Sequence, residues 1–181
     1  MRSTVWPSRL HMARWRSNEG IGMKGFVVDT SVLYYGKDLP ADFEIIISPG
    51  VVRELEKEDM SERLQLLMAT RIRVHSPSKR SMDRVLEAAT KTGDSRRVSM
   101  TDREILALAI DLGYELLTDD YSIQNLAAVL GVPCRGFDQR GIRRIFEWES
   151  KCKGCGRQFP AGVDTCDVCG SETRTVRKKR G

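Results

Sequence analysis

From Lys24 onward, short apolar runs alternate with amphipathic stretches. Phe26–Asp29 (FVVD), Glu44–Ser48 (EIIIS), Arg71–His75 (RIRVH), Tyr114–Asp119 (YELLTD) and Val132–Gly136 (VPCRG) have the length and apolar character of strands. Helical periods lie between them. Ser48 and Pro49 supply an N-cap and a proline at the first helical position ahead of VVRELEKE. Thr101 and Glu104 fit a capping box ahead of Ile105, Leu106, Leu108, Ala109 and Leu112, and Gly113 ends that helix. Strands separated by helices predict an α/β domain with a mostly parallel sheet covered on both faces. After Gly136 the pattern breaks into RRIFEWES, a cysteine-rich stretch and RTVRKKRG. The expected organisation is a leader at 1–22, non-native or disordered, the α/β domain at 23–142, a small cysteine module at 143–176 and a basic tail at 177–181.

Length and composition narrow this further. The chain of 181 residues suits one domain plus an appendage, and 40% hydrophobic with 30% charged residues excludes wholesale disorder and collagen-like repeats. No apolar run approaches the ~18 residues a membrane helix needs, so no membrane partner is expected. Charge is unevenly placed: four basic residues against one acidic in 1–22, 18 against 21 in 23–150, and eight against three in 151–181. An acidic body with basic ends suggests a polyanion held by the ends while the body offers carboxylates.

Four of the five cysteines form two matched units, Cys152-Lys-Gly-Cys155-Gly and Cys166-Asp-Val-Cys169-Gly. Each CxxC turn presents two sulfurs to one ion, and four thiolates complete a closed tetrahedral Zn²⁺ shell, hence a structural site. A segment of this size buries too little apolar surface to fold alone, so metal binding, worth about 10–16 kcal/mol in zinc-finger peptides, would supply its stability. Disulfides or a redox CxxC explain the doubled pattern less well. Clustered cysteines without an apolar signal peptide point to a reducing, cytoplasmic setting. Lys151, Lys153, Arg157, Arg174, Arg177, Lys178, Lys179 and Arg180 surround the module and suit contacts to RNA phosphates. Cys134 reads as a buried small residue rather than a ligand.

The acidic residues are informative by placement. Asp29 ends the first strand, Asp119 and Asp120 end YELLTDD, and Asp102 opens a helix on the same stripe as Ile105, Leu106 and Ala109. Glu54 borders the apolar face of its helix, whereas Glu56 and Glu58 read as solvent charges. In parallel sheets such strand ends gather at the ligand-binding edge. Two like charges ~4 Å apart repel by about 4 kcal/mol at an effective dielectric of 20, which a divalent cation would offset. Oxygen-only ligands suit Mg²⁺ or Mn²⁺, which can activate water against a phosphodiester. Each acid also has a bland reading: Asp29 or Asp120 as a helix cap, Asp102 as a partner of the helix dipole. With only His11 and His75 present, an imidazole pair is not an obvious alternative.

Taken in order, VVDTS at Val27–Ser31, Glu54 in VVRELEKE, Asp102 in SMTDREILALA and LLTDDYSIQN at Leu116–Asn125 resemble the four acidic motifs of PIN-domain ribonucleases. With Gln124-Asn125 after TDDY and a C-terminal zinc ribbon, the pattern is similar to the Nob family, whose members form the mature 3′ end of small-subunit rRNA. The likeness spans about Lys24 to Thr175. It implies a PIN fold and a Mg²⁺- or Mn²⁺-dependent site that hydrolyses single-stranded precursor rRNA. Asp29, Glu54, Asp102 and Asp120 would be the catalytic and metal-binding quartet, Asp119 a neighbouring helper, and Thr30, Ser31 and Thr118 orienting hydroxyls. The implied partners are precursor rRNA, the pre-ribosomal particle and an assembly factor. Residues Lys91–Val98 read either as a mobile loop near the site or as a solvent loop. The alternative function is a noncatalytic RNA-binding assembly factor.

Overall fold

The computed structural model describes residues 25–35, 43–57, 60–136 and 145–178. The leader at 1–22, residues 143 and 144 of the expected cysteine module, and Lys179 and Arg180 lie outside the described residues.

Five strands form one parallel sheet: β1 (Gly25–Val28), β2 (Glu44–Ile47), β3 (Ile72–Val74), β4 (Glu115–Leu117) and β5 (Cys134–Arg135), in the order β3-β2-β1-β4-β5. All four pairings are parallel, and Phe26 stands opposite Ile45 on one side and Glu115 on the other. Val27, Val28, Ile45, Ile47, Leu116 and Leu117 have no exposed surface, as a sheet covered on both faces requires. The connecting helices are α1 (Thr30–Tyr35), α2 (Pro49–Leu55), α3 (Glu62–Thr70), α4 (Lys79–Thr92), α5 (Met100–Leu112) and α6 (Tyr121–Leu130).

Local signals account for several boundaries. Ser48 caps α2 by accepting from the Val51 N–H at 3.2 Å, with Pro49 opening the helix. At α5 the expected capping box is displaced by two residues. Ser99 and Asp102 form it, the Asp102 N–H donating to Ser99 Oγ at 3.1 Å and the Ser99 N–H to Asp102 Oδ2 at 2.7 Å. Glu104 instead leaves its own helix, accepting from the Gly50 N–H at 2.7 Å and pairing with Arg53 at 3.0 Å. It therefore fixes the start of α2 against α5.

The order in which strands are added reverses at β1: β2 and β3 lie on one side of it, β4 and β5 on the other. The crevice at the carboxyl ends of β1 and β4 is thus the switch point where parallel sheets bind ligands.

The C-terminal module is a three-stranded antiparallel sheet, β7-β6-β8, built from β6 (Trp148–Cys152), β7 (Gln158–Pro160) and β8 (Thr173–Arg177). It is seated on the α/β domain through residues 93–97. Arg96 pairs with Asp164, and the Arg97 guanidinium lies 4.0 Å from the centre of the Trp148 ring. Asn125, almost fully buried in α6, grips the incoming backbone at both groups: the Phe146 N–H donates to its Oδ1 at 2.6 Å and its Nδ2 donates to the Phe146 carbonyl at 2.9 Å. Buried Asp94 accepts from Asn125 at 2.9 Å and from Thr92 at 2.7 Å. Residues 93–97 of the Lys91–Val98 stretch are therefore the seat of the module and not a free solvent loop.

Gly93 shows how tight the seat is. Its φ is +79°, and an added Cβ would stand 2.5 Å from the Ala161 Cβ and 2.9 Å from the Trp148 carbonyl oxygen. Gly113 at the end of α5 has a similar φ of +65° with nothing within 4 Å. Gly113→Ala should cost about 1 kcal/mol from backbone strain alone. Gly93→Ala should cost about 1–3 kcal/mol more, through overpacking against the module. Urea denaturation of the two variants checks this, and equal losses would mean that the seat is loose.

Candidate functional site

Four of the sequence-predicted acids meet at the switch point. Asp29 follows β1 directly and is only 8% exposed. Its N–H donates to the Leu117 carbonyl of β4, and its Oδ2 accepts from Ser31 Oγ and Thr118 Oγ1, each at 2.9 Å. Burial pushes the Asp29 carboxyl above its ordinary value; the Ser31 and Thr118 hydroxyls and the Thr30 N–H pull it down, and the charge of Asp102 raises it. Asp102 is likewise raised, by burial first and then by the charges of Asp120 and Glu54, while its bonds to Ser99 lower it. Asp102 is thus within electrostatic reach of Asp29, Glu54 and Asp120.

The hydroxyls predicted as orienting groups all engage this network. Thr30 Oγ1 donates to Glu54 Oε2 at 2.6 Å, Ser31 and Thr118 donate to Asp29, and Thr118 Oγ1 also accepts from the Asp120 N–H at 3.1 Å. Asp120 is the exposed N-cap of α6, its Oδ1 accepting from the Ser122 and Ile123 N–H groups at 2.6 and 3.2 Å. Its cap role and its place in the crevice coexist, since one carboxylate oxygen serves both bonds. Asp119 is half-buried on the side of β5, where its charge helps raise Cys134. Cys134 itself packs against the core, and burial, helped by Glu115, pushes its thiol up to about 12, so it is an inert filler.

Two positions escaped sequence reasoning. Glu104 looked like a member of its own capping box, and only the long-range bond to Gly50 shows that it sets the Glu54-bearing helix. Asp94 looked like a loop acid, yet it is fully buried and anchors Asn125. No local pattern marks either role.

The cysteine tetrad is compact. The four sulfurs lie within 4.8 Å of one another, the one such enclosure among the described residues. The Cys152–Cys169 and Cys155–Cys166 sulfur separations are 3.4 and 3.6 Å, too long for the ~2.05 Å of a disulfide. The Gly154 and Cys155 N–H groups donate to Cys152 Sγ at 3.3 and 3.4 Å, which stabilises a thiolate. Bonds from the Ser171 side chain and backbone push the Cys169 thiol down to about 6. Gly156 and Gly170 follow the two turns with φ of +75° and +69°, which explains the glycine after each CxxC. This donor set suits Zn²⁺. The carboxylates form a more open group, which suits an ion that keeps several waters and shares phosphate oxygens.

The basic residues of the module divide in two. Lys153 pairs with Glu172 at 2.6 Å, Lys178 with Glu147 at 3.1 Å, and Arg177 stacks 3.7 Å from the centre of the Phe146 ring. Lys151 and Arg174 line an open concavity with Lys153 beside the first CxxC turn, and Arg157 is exposed.

Comparison with known proteins agrees with this geometry. Residues 26–112 match the family described as the PIN domain of ribonuclease. The chain is 36% identical to the endoribonuclease Nob1 of Pyrococcus abyssi over 85% of its own length and 94% of that protein. It is 38% identical to the endoribonuclease Nob1 of Archaeoglobus fulgidus over 84% and 91%. It is also 35% identical to the ribonuclease VapC1 of Thermoplasma acidophilum over 86% and 79%. The class is that of PIN-domain proteins. Within it, the chain belongs to the Nob1 family of PIN-domain endoribonucleases, with a C-terminal four-cysteine cluster.

Two outcomes follow. A carboxyl whose folded pKa is raised favours folding below its unfolded value near 3.8, and that contribution is lost as pH rises through the folded value. Asp29→Asn should therefore raise the melting temperature at pH 7 in EDTA and flatten its decline between pH 4 and 7; an unchanged profile would refute the burial argument. A strong chelator should expose residues 145–178 to protease while the α/β domain keeps its helical circular dichroism. Undiminished resistance of that segment would reject zinc as its staple.

Proposed function

We propose that this chain is a Mg²⁺- or Mn²⁺-dependent endoribonuclease that cuts single-stranded precursor small-subunit rRNA at its 3′ end, in the cytoplasm and on the pre-ribosomal particle. The observation that carries the proposal is the meeting of Asp29, Glu54, Asp102 and Asp120 at the switch point, with Asp102 raised by two of its acidic neighbours. Family membership supports the reaction class, and the likeness of the ordered motifs to the Nob family supports the rRNA substrate.

In this reading Asp29, Glu54, Asp102 and Asp120 would hold the divalent ion, with Asp119 beside them. When bound, that ion supplies charge neutralisation at the phosphate and a more acidic water. The protein's contribution is orientation. Thr118 and Ser31 fix the Asp29 carboxylate through Oδ2, and Thr30 fixes Glu54. Asp120 is held against the α6 N-terminus, and Ser99 holds Asp102. Because these bonds exist before substrate arrives, little reorganisation is needed at the reacting phosphate. The module, stapled by Zn²⁺, presents Lys151, Arg157 and Arg174 to the RNA backbone. Lys153, Arg177 and Lys178 would have to exchange their present partners to join them.

The test is incubation of the full chain with an RNA spanning a small-subunit 3′ junction, in Mn²⁺, Mg²⁺ or EDTA, with mapping of the ends. One metal-dependent cut at the junction is expected. Asp29→Asn should lower the rate by about a thousandfold or more, with RNA affinity within about twofold of the parent. Salt-sensitive binding without scission in any metal would replace this reading with a noncatalytic RNA-binding assembly factor.

A further inference from the structure

We propose that the cavity at the joint between the α/β domain and the cysteine module binds one unpaired base of the RNA, adjacent to the phosphate that is cut; this rests on the ribonuclease reading above. The cavity has a volume of about 240 Å³ and is walled by Asp94, Arg97, Tyr121, Asn125, Phe146 and Trp148. A cavity of ~150 Å³ already accommodates a benzene ring, so this one admits a nucleobase.

Three observations point to that occupant. Tyr121 remains 51% exposed at the edge of a cavity that also holds Phe146 and Trp148, and aromatic rings on which bases stack are the common device for single-stranded RNA. Arg97 supplies a cation over the Trp148 ring, and its side chain is 40% exposed, so it can shift to a backbone phosphate when a base takes its place. Stacking of a base outweighs an exposed cation–π contact.

The second observation is a pair of orphaned polar atoms. Asp94 is fully buried; its Oδ2 accepts from Thr92 and Asn125, but Oδ1 has no hydrogen bond, the Arg97 Nε standing 3.8 Å away. Trp148 Nε1 is buried and likewise has no acceptor. An unsatisfied acceptor and an unsatisfied donor on two residues that line one cavity are costly unless a ligand serves them. The edge of a base, carrying N–H donors and ring or carbonyl acceptors, can serve both.

The third is position. Asp120, a member of the acidic group, caps α6 through the N–H groups of Ser122 and Ile123, and Tyr121 is the first residue of that same turn. The acid and the cavity wall are therefore one residue apart on a rigid helix start. A base seated against Tyr121 would therefore lie next to the residue that carries one of the acids. Phe146 precedes the module and Trp148 opens its strand β6, so the cavity is complete only when the module is docked.

The test uses the full chain carrying Asp29→Asn, which keeps RNA intact, and a short unstructured oligoribonucleotide with 2-aminopurine placed at each position in turn. Quenching of 2-aminopurine is expected at one position. Adding Tyr121→Ala should remove that quenching and weaken binding about five- to tenfold, whereas Tyr121→Phe keeps both. Quenching that survives Tyr121→Ala, or that is spread evenly over all positions, overturns the site. In the parent chain, an RNA made abasic at the quenched position should be cut at least about fivefold more slowly; an equal rate overturns the positioning role. Localised quenching by a chain that never cuts RNA would defeat the ribonuclease reading and leave the base site standing.

Discussion

Four carboxylates at one end of a parallel sheet repel one another, and the surrounding bonds hold them there. Asp29 is placed by the backbone itself, because its N–H continues the β1–β4 pairing to the Leu117 carbonyl. It is nearly buried, so its charge is costly, and the two hydroxyls on Oδ2 recover part of that cost. Glu104 has the same purpose at longer range. By binding the first turn of α2 it brings Glu54 toward Asp102, and Gly50 permits the approach, since a Cβ there would stand 2.6 Å from Glu104 Oε2. A site that is electrostatically unfavourable when empty is one that a cation improves.

The joint with the cysteine module obeys a different constraint, that of buried polar groups needing partners. Asn125 uses both ends of its amide on the Phe146 backbone, and Asp94 holds that amide in place. Removing either would leave buried donors or acceptors unpaired. Because Asn125 lies one helical turn after Tyr121 in the helix capped by Asp120, the docking of the module and the position of one member of the acidic group share a rigid element. The module's orientation is thus linked to the acidic crevice through α6.

The strands were legible because both faces of the sheet are covered: Ile45, Ile46 and Ile47 are all buried, so the apolar run shows without any periodicity. The cysteine spacing was legible because metal knuckles are local. Around α5 the sequence offers two overlapping boxes, Ser99 with Asp102 and Thr101 with Glu104, and local spacing cannot choose between them. Tertiary structure decides, since Glu104 is taken by Gly50 and Arg53. The seat at residues 93–97 was illegible for a related reason: Arg96 meets Asp164 across 68 residues, and no local pattern encodes that pairing. Counting cations in the module overstated the free charge, because Lys153 and Lys178 are already paired and Arg177 covers a ring.

The separation of charge along the chain acquires a physical purpose in this arrangement. An acidic body would repel an RNA strand, and the 23–150 segment carries 21 acidic against 18 basic residues. The basic module offsets that repulsion at a distance, through exposed groups such as Arg157 and Arg174 that need no sequence-specific contact. Phosphate contacts of that kind tether a strand but leave its register free. Register would have to come from a group that reads a single nucleotide near the acids, and the proposed base site walled by Tyr121, Trp148 and Asp94 would supply one. On the proposed reading, tethering and registration are separate tasks of different residues: Lys151, Arg157 and Arg174 for the first, Tyr121 and Trp148 for the second.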